Sequence, residues 1–120
     1  MRNIIKLTLL FLILAKGVAA AELPESEKLK IQYLKEQIAT SQCQFERNGK
    51  VYAAEDALAH IEKKHRYFTN DIDSVEKFIE LAASKSTVSH KPYYLHCPGK
   101  DKVSAAQWLM KRLDDWKGPQ

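Results

Sequence analysis

The chain has 120 residues and a formal net charge of +4 at pH 7. Three of its cations, Arg2, Lys6 and Lys16, lie near the N-terminus, and beyond residue 21 there are 16 lysines and arginines against 15 acidic residues. This nearly neutral balance gives no reason to expect nucleic acid or an anionic membrane surface as a partner.

The N-terminus has the pattern of a secretory signal peptide. Arg2 and Lys6 precede an unbroken apolar run at residues 7–15, and residues 19–21 are three alanines that suit a signal peptidase. The apolar run is far shorter than the ~20 residues that span a bilayer, so a retained membrane anchor is the weaker alternative. We predict cleavage after residue 21 or residue 20 and export to the periplasm.

The first predicted element beyond the signal peptide is a helix over about residues 25–39. Leu29, Ile31, Leu34 and Ile38 recur there at roughly helical spacing, and charged residues occupy the other faces. The pattern indicates an amphipathic helix with one apolar face turned to a core.

The next element is a β-hairpin in the run CQFERNGKVY, residues 43–52. The Asn-Gly pair at its centre tolerates the positive φ angles of a two-residue type I′ turn. Phe45 is therefore predicted to face Tyr52 across the hairpin, and Arg47 to face Lys50.

Two helices are predicted after the hairpin. The first covers residues 54–68, with acidic residues in its first turn and basic residues in its last, as the helix dipole favours. The second begins at Asp73, which we expect to act as the N-cap of a capping-box-like start. Its apolar side chains at helical spacing are Val75, Phe78, Ile79 and Ala82.

A strand and a helix complete the chain. The run YYLHC at residues 93–97 alternates, which places Tyr93, Leu95 and Cys97 on one face before a Pro-Gly turn. A fourth helix begins at Ser104, with a glutamine three residues later in the reciprocal capping position.

These elements predict an α+β fold in the order α-β-β-α-α-β-α. The hairpin and the later strand form a small three-stranded antiparallel sheet, which packs with about four helices. Residues 22–120 are enough for one such domain with a marginal core, so we expect a signal peptide at residues 1–21 and a single domain at residues 22–120.

The two cysteines, Cys43 and Cys97, are predicted to form a disulfide. An exported chain of this size with an even cysteine count usually pairs its cysteines, and each lies at the end of a predicted apolar strand face. Closing this loop of 55 residues stabilises the fold by roughly 4 kcal/mol in the chain-entropy treatment. A reactive thiol or a metal site with His96 is the weaker alternative, because neither cysteine belongs to a metal-ligand spacing.

Two motifs in the middle of the chain resemble a known family. The pattern F-x-R-N-G at residues 45–49 and a serine-rich approach to Pro92-Tyr93 resemble the YfeK-like family of small exported bacterial proteins, whose function is unknown. The other positions that carry the resemblance are Ala57, His60, Ile61, Lys64, Phe78, Ile79, Ala82, Ser84, Ser86 and Ser89. The resemblance implies a periplasmic location and one compact domain, and it transfers no catalytic residue.

The most polar segment, ASKSTVSHKPY at residues 83–93, is called the serine loop below. It leads directly into the strand that the disulfide should hold beside the hairpin. We therefore predict that the hairpin turn and the serine loop form one binding surface for an acidic or hydroxyl-rich ligand. The residues assigned to this surface are Arg47, Lys50, Lys85, Ser86, Ser89 and Lys91. The competing interpretations are a solvated loop and an exposed hairpin end.

The four histidines raise the question of a metal or acid–base site. His60 and Lys64 lie one helical turn apart, but a lysine ammonium repels a metal cation, and His60 has no carboxylate at a metal-binding spacing. We expect structural or solvated roles for the histidines, and neither a metal nor another cofactor.

The leading functional hypothesis is a noncatalytic periplasmic binding or interaction module, whose partner is an unidentified periplasmic protein or an acidic or hydroxyl-rich ligand. The alternative is a small hydrolase or transferase that uses the loop from Ser84 to Ser89 with His60 or His90. That alternative is the weaker one, because the loop lacks the G-x-S-x-G context of a nucleophilic serine.

Overall fold

A computed structural model describes residues 22–119. The predicted signal peptide at residues 1–21 lies outside the described residues. Residues 22–119 form, in chain order, α1 (Glu25–Thr40), β1 (Gln44–Arg47), β2 (Lys50–Ala53), α2 (Ala54–Tyr67), a 3-10 turn (Thr69–Asp71), α3 (Val75–Phe78), a π-helix (Ile79–Ala83), β3 (Tyr94–His96), β4 (Val103–Ser104) and α4 (Ala105–Asp114).

The α+β class and the antiparallel pairing are confirmed, but the sheet within residues 22–119 has four strands, not three. Its strand order is β2-β1-β3-β4, and every neighbouring pair is antiparallel. The additional strand, β4, pairs Val103 with Leu95 and Ser104 with Tyr94. It escaped prediction because two residues cannot display a period of two, and because the same serine begins the next helix.

The predicted register of the hairpin is confirmed. Phe45 lies opposite Tyr52 and Arg47 lies opposite Lys50. Both residues of the turn have positive φ, 50° at Asn48 and 79° at the following glycine, as a type I′ turn requires. Strand β3 then pairs with the other edge of β1 and places Leu95 beside Phe45.

The predicted disulfide between Cys43 and Cys97 is confirmed. Both cysteines flank the pair β1 and β3 at the end remote from the hairpin turn. Cys43 is only 4% exposed and belongs to the hydrophobic core. The bond therefore fixes a strand from the first half of the domain to one from the second half.

One face of the sheet and the helices enclose a single hydrophobic core. Helix α1 packs against α2, α3 and α4, and the predicted apolar residues Ile31, Leu34 and Ile38 are buried, while Leu29 stays partly exposed. The largest fully buried side chains are Phe78, Leu34, Ile38, Ile61, Leu95, Leu109 and Val75.

The start of α3 differs from the prediction. Ser74, not Asp73, is the N-cap, because its hydroxyl accepts a hydrogen bond from the Lys77 backbone at 3.1 Å. A carboxylate oxygen of Glu27 in α1 accepts from the Val75 backbone at 3.3 Å. A contact from another helix therefore completes this cap, and the local sequence does not reveal it.

The cap of α4 agrees with the prediction, since the hydroxyl of Ser104 accepts from the backbone of Gln107 at 3.2 Å. Within residues 22–119, no helix has the length and apolar character needed to cross a membrane.

Candidate functional site

A cavity of about 290 Å³ lies between the hairpin and α2. Its wall combines aromatic and small apolar side chains with a group of polar ones. The lining residues are Phe45, Glu46, Arg47, Tyr52, Asp56, Ala57, His60, Ile61 and Tyr93. The cavity is therefore formed by β1, β2 and one face of α2, together with Tyr93 just before β3.

Helix α2 contributes Ala57, His60 and Ile61 to this wall, and Lys64 follows one turn later on the same face. These positions have the i, i+3, i+4 and i+7 spacing of one helix face. Helix α2 begins immediately after β2 without a connecting loop, so this face lies against the hairpin. Ala57 has only a methyl group as its side chain, so it leaves part of the cavity open.

Arg47 is the central polar residue of the cavity. Its Nη1 lies 3.0 Å from Nδ1 and 2.7 Å from Nε2 of His60, so it can donate to whichever ring nitrogen is unprotonated. Its Nη2 donates to the hydroxyl of Tyr52 at 3.2 Å, and the guanidinium lies 5.0 Å from the centre of the Tyr52 ring. Arg47 is thus held on two sides by residues of the cavity wall.

A second cation, Lys64, lies behind Tyr93. Lys64 is only 7% exposed. Its Nζ donates to the backbone oxygen of Lys85 at 2.6 Å and to the Tyr93 hydroxyl at 3.1 Å. That hydroxyl also lies 3.4 Å from Nε2 of His60. A continuous polar chain therefore joins the buried amine to the guanidinium in the cavity.

The environment of His60 favours the neutral imidazole. Burial lowers its pKa, and the positive charges of Arg47, Lys64 and Lys63 lower it further. Because Arg47 donates to this ring, an unprotonated ring nitrogen is also what the hydrogen bond requires. The hydrogen bond from Arg47 lowers the pKa of Tyr52 as well.

Burial also shifts the pKa values of Lys64 and Tyr93. It lowers the pKa of Lys64 from 10.5 to about 8, and the nearby charges of Arg47 and Lys85 act in the same direction. Burial raises the pKa of Tyr93, so the phenol stays protonated and accepts a hydrogen bond from Lys64.

Carboxylates do not neutralise these cations. Among residues 22–119, neither Arg47 nor Lys64 forms an ion pair. Glu46 lines the cavity, but its two oxygens lie 2.9 Å from His96 Nε2 and 3.9 Å from Lys102 Nζ. The remaining acidic residue of the wall, Asp56, is exposed in the first turn of α2.

The six residues that the sequence assigned to one binding surface differ in their surroundings. The hairpin turn and the serine loop do touch, because the Ser89 hydroxyl donates to Oδ1 of Asn48 at 2.7 Å. Arg47, however, is engaged in the cavity. Ser86 is 7% exposed, and its hydroxyl accepts from the Ser89 backbone at 3.3 Å, which is a contact within the loop.

The three lysines assigned to the same surface differ in exposure. Lys50 and Lys91 are exposed, whereas Lys85 is partly buried, and its backbone oxygen accepts from Lys64. A joint binding surface of the turn and the loop stays a prediction.

The serine loop has no nucleophile paired with a base in the part of the chain that the structure describes. Ser84 donates to the backbone oxygen of Glu80 at 3.1 Å, and the hydroxyls of Ser86 and Ser89 have the partners given above. His90 is exposed at a positive φ of 60°. A serine hydrolase with a histidine base requires a hydroxyl and an imidazole within hydrogen-bond reach. In residues 22–119 these serine hydroxyls make no hydrogen bond to His60 or His90.

The sequence interpretation missed the cavity, and it did not group two of its lining residues, Tyr52 and Tyr93, with Lys64 behind them. It assigned His60 a structural or solvated role, and in the structure the ring lines the cavity. One signal was present: Lys64 continues the apolar face of α2 that carries Ile61. Residues 22–119 contain no group of three histidine, cysteine, aspartate or glutamate side chains arranged to hold a metal ion.

The fold and the cavity define a small, disulfide-linked α+β domain with a pocket between a hairpin and a helix, in which Arg47 has no carboxylate partner among residues 22–119. By comparison with known proteins, the chain belongs to the family described as "Family of unknown function (DUF5329)", which matches residues 25–117. A segment of 49 residues is 41% identical to "Uncharacterized protein YfeK" of Salmonella typhimurium.

That segment spans 41% of this chain and 41% of the Salmonella protein, so the similarity covers less than half of either. The resemblance to a YfeK-like family of unknown function is confirmed. No solved structure matches the chain.

Proposed function

We propose that the protein is a noncatalytic periplasmic binding module whose small-molecule ligand occupies the cavity between the hairpin and α2. The observation that supports this function is the convergence of Arg47, His60 and Tyr93 on one concave surface. Ligand sites of proteins are typically concave and mostly apolar, with a few polar groups that fix the orientation of the ligand.

The apolar part of the wall supplies the binding energy in this proposal. Phe45 and Ile61 are almost completely buried and present parts of their side chains to the cavity. Removing apolar surface of a ligand from water contributes roughly 25 cal/mol for each Å² buried. A cavity of about 290 Å³ is at the small end of the range for ligand pockets, so the ligand is small.

The polar part of the wall is arranged before any ligand arrives. Tyr52 and His60 hold the guanidinium of Arg47 in place, and Lys64 holds the hydroxyl of Tyr93. Ordering a free arginine side chain at an interface costs about 0.5–1.5 kcal/mol. Here the fold has already ordered it, which favours binding of a ligand that uses Arg47.

We predict that Ala57→Leu abolishes ligand binding, because the larger side chain fills the cavity. The measurement is a titration of isotope-labelled protein with a library of small acidic, basic and neutral compounds, followed through backbone amide signals in NMR. Bound compounds should shift the amides of β1, β2 and the first half of α2 in the unmodified chain and lose that effect in the variant.

The matched control is Ala106→Leu, which makes the same change on the partly exposed face of α4. It should bind the same compounds as the unmodified chain. Melting curves of both variants show whether the fold is retained. Compounds that bind Ala57→Leu as well as they bind the unmodified chain, or a library without a compound that shifts the cavity amides, would contradict the proposed function.

The periplasmic part of the proposal rests on the first 21 residues, and it has its own test. We predict that the exported protein begins at Ala21 or Glu22. The reason is the charged, apolar and small-residue order of residues 1–21. Intact-mass measurement on periplasmic protein reports the N-terminus directly. Leu10→Arg should prevent processing because it interrupts the apolar run, whereas Asn3→Gln should not. Retention of Met1 in exported protein contradicts the prediction.

A further inference from the structure

We propose that the ligand of this cavity is a small aromatic monocarboxylate whose carboxylate binds Arg47. This inference rests on the proposed function and names its ligand class. It follows from the charge of the site, the composition of the wall and the number of hydrogen-bond donors that remain available.

The cations without carboxylate partners in the described part of the chain call for an anion. Arg47 and Lys64 are linked through His60 and Tyr93, and in residues 22–119 neither cation has a carboxylate partner. By contrast, Lys35, another lysine shielded from solvent, pairs with Glu62 at 2.9 Å. Buried charges are normally paired. An anionic ligand would supply for Arg47 the partner that this part of the chain does not.

The ionisation of Lys64 agrees with this reasoning. Burial and the neighbouring Arg47 bring the pKa of Lys64 down to about 8, so the fold disfavours its charge as long as the cavity holds no anion. A carboxylate beside Arg47 would offset part of that repulsion and would raise the pKa of Lys64. Binding and proton uptake are therefore coupled in the proposed complex.

The cavity wall favours a ligand with an aromatic ring. Three of the nine lining side chains, Phe45, Tyr52 and Tyr93, are aromatic, and Ala57 and Ile61 add aliphatic surface. Aromatic rings pair by offset stacking or edge-to-face contact, which is worth about 0.5–1.5 kcal/mol beyond simple burial. The Arg47 guanidinium already covers one face of Tyr52, so Phe45 and Tyr93 are the rings that contact the ligand.

The donors of Arg47 favour a carboxylate over a phosphate. A guanidinium has five N–H donors, and the contacts to His60 and Tyr52 leave enough of them for the two oxygens of one carboxylate. A phosphate dianion carries a second negative charge, which Arg47 alone does not balance. Lys64 does not line the cavity, because its Nζ is engaged behind Tyr93 by that hydroxyl and by the Lys85 carbonyl.

The test uses four probes that separate the contribution of the negative charge from that of the aromatic ring. They are phenylacetate, its uncharged isostere phenylacetamide, acetate, and phenyl phosphate. Affinities are measured by the NMR titration described above at pH 7. Charge-assisted hydrogen bonds of this type are worth ~10-fold or more in affinity. We expect phenylacetate to bind about 10-fold more tightly than phenylacetamide and than acetate.

Arg47→Gln supplies the matched variant, since glutamine retains hydrogen-bonding capacity without the charge. It should weaken phenylacetate by about 10-fold or more and leave phenylacetamide nearly unchanged. The control is Lys100→Gln, which removes the same charge at the opposite end of the sheet beside the disulfide and should change neither affinity. The comparison of probes on the unmodified chain remains decisive even where Arg47→Gln does not fold.

The outcomes separate this inference from the proposed function. Equal binding of phenylacetamide and phenylacetate overturns the anionic class but leaves a small-molecule pocket. If phenyl phosphate binds more tightly than phenylacetate, the ligand is not a carboxylate. If acetate binds as tightly as phenylacetate, the ligand does not need an aromatic ring. Absence of binding by all four probes overturns the inference, and the proposed function fails with it only if the compound library also gives no cavity-binding compound.

Discussion

Replacing Cys43 and Cys97 together with alanine should lower the free energy of unfolding by about 2–4 kcal/mol. The disulfide joins residues 54 positions apart, so without it the unfolded chain gains the conformational freedom of a long loop. A domain of this size has a total stability of roughly 5–10 kcal/mol. Urea denaturation monitored by circular dichroism measures the loss as a lower midpoint.

Reduction supplies the control for this prediction. Dithiothreitol should destabilise the unmodified protein about as much as the double substitution does, and it should leave the double variant unchanged. Alanine is preferred to serine because Cys43 is buried in the core, where an unpaired hydroxyl adds a separate penalty. A midpoint that moves in neither experiment contradicts a stabilising role for the bond.

The structure around β1 was predictable from the sequence because local rules determine it. An Asn-Gly turn specifies a two-residue hairpin, and the turn then fixes the register that places Phe45 opposite Tyr52. Alternation in β3 and the even number of cysteines predicted the disulfide, since one cysteine at the end of each strand face leaves a single pairing. These features depend on neighbouring residues and on a single long-range bond.

The cavity was not predictable in the same way, because it forms where elements distant in sequence meet. Lys64 lies among Lys63, His65 and Arg66, and such a run is normally solvated. Its burial depends on Tyr93 and the Lys85 carbonyl, which lie 29 and 21 positions away. A sequence pattern shows that a lysine interrupts an apolar face, but it does not show which acceptor the amine reaches.

The π-helix at Ile79–Ala83 is a second feature that the periodicity concealed. The residues Ile79 and Ala82 fit an α-helical pattern equally well, and both are buried as predicted. The wider turn is followed two residues later by Lys85, whose carbonyl accepts from Lys64. Backbone geometry outside the regular α-helix therefore lies next to the buried amine, in keeping with the frequent occurrence of π-helical turns at functional sites.

The pH dependence of stability should report the burial of Lys64. Between pH 7.5 and 9.5, values chosen to bracket its pKa of about 8, the unmodified protein should gain about 2 kcal/mol of unfolding free energy relative to Lys64→Met. In the unfolded chain the amine has its ordinary pKa of 10.5 and keeps its proton over this interval. The folded protein releases that proton, so the unfolded state binds more protons and stability rises with pH.

The comparison must be made as a difference in slope, because Lys64→Met also removes two hydrogen bonds and leaves the Lys85 carbonyl without that donor. This loss is a constant offset, whereas the titration of Lys64 changes with pH. The charged and titratable groups around the amine are Arg47, Lys85, Tyr93 and, through the tyrosine hydroxyl, His60. The pKa of Tyr93 is raised, so it stays protonated throughout the interval.

Lys63→Met is the matched control, since it makes the same change at the neighbouring position of α2, where the side chain is exposed. Its stability should follow that of the unmodified protein across the interval, with a constant difference. Urea unfolding at closely spaced pH values gives all three curves. Parallel curves for the unmodified protein and Lys64→Met would mean that the amine titrates alike in the folded and unfolded states. The buried, unpaired cation on which the anionic ligand class rests would then be absent.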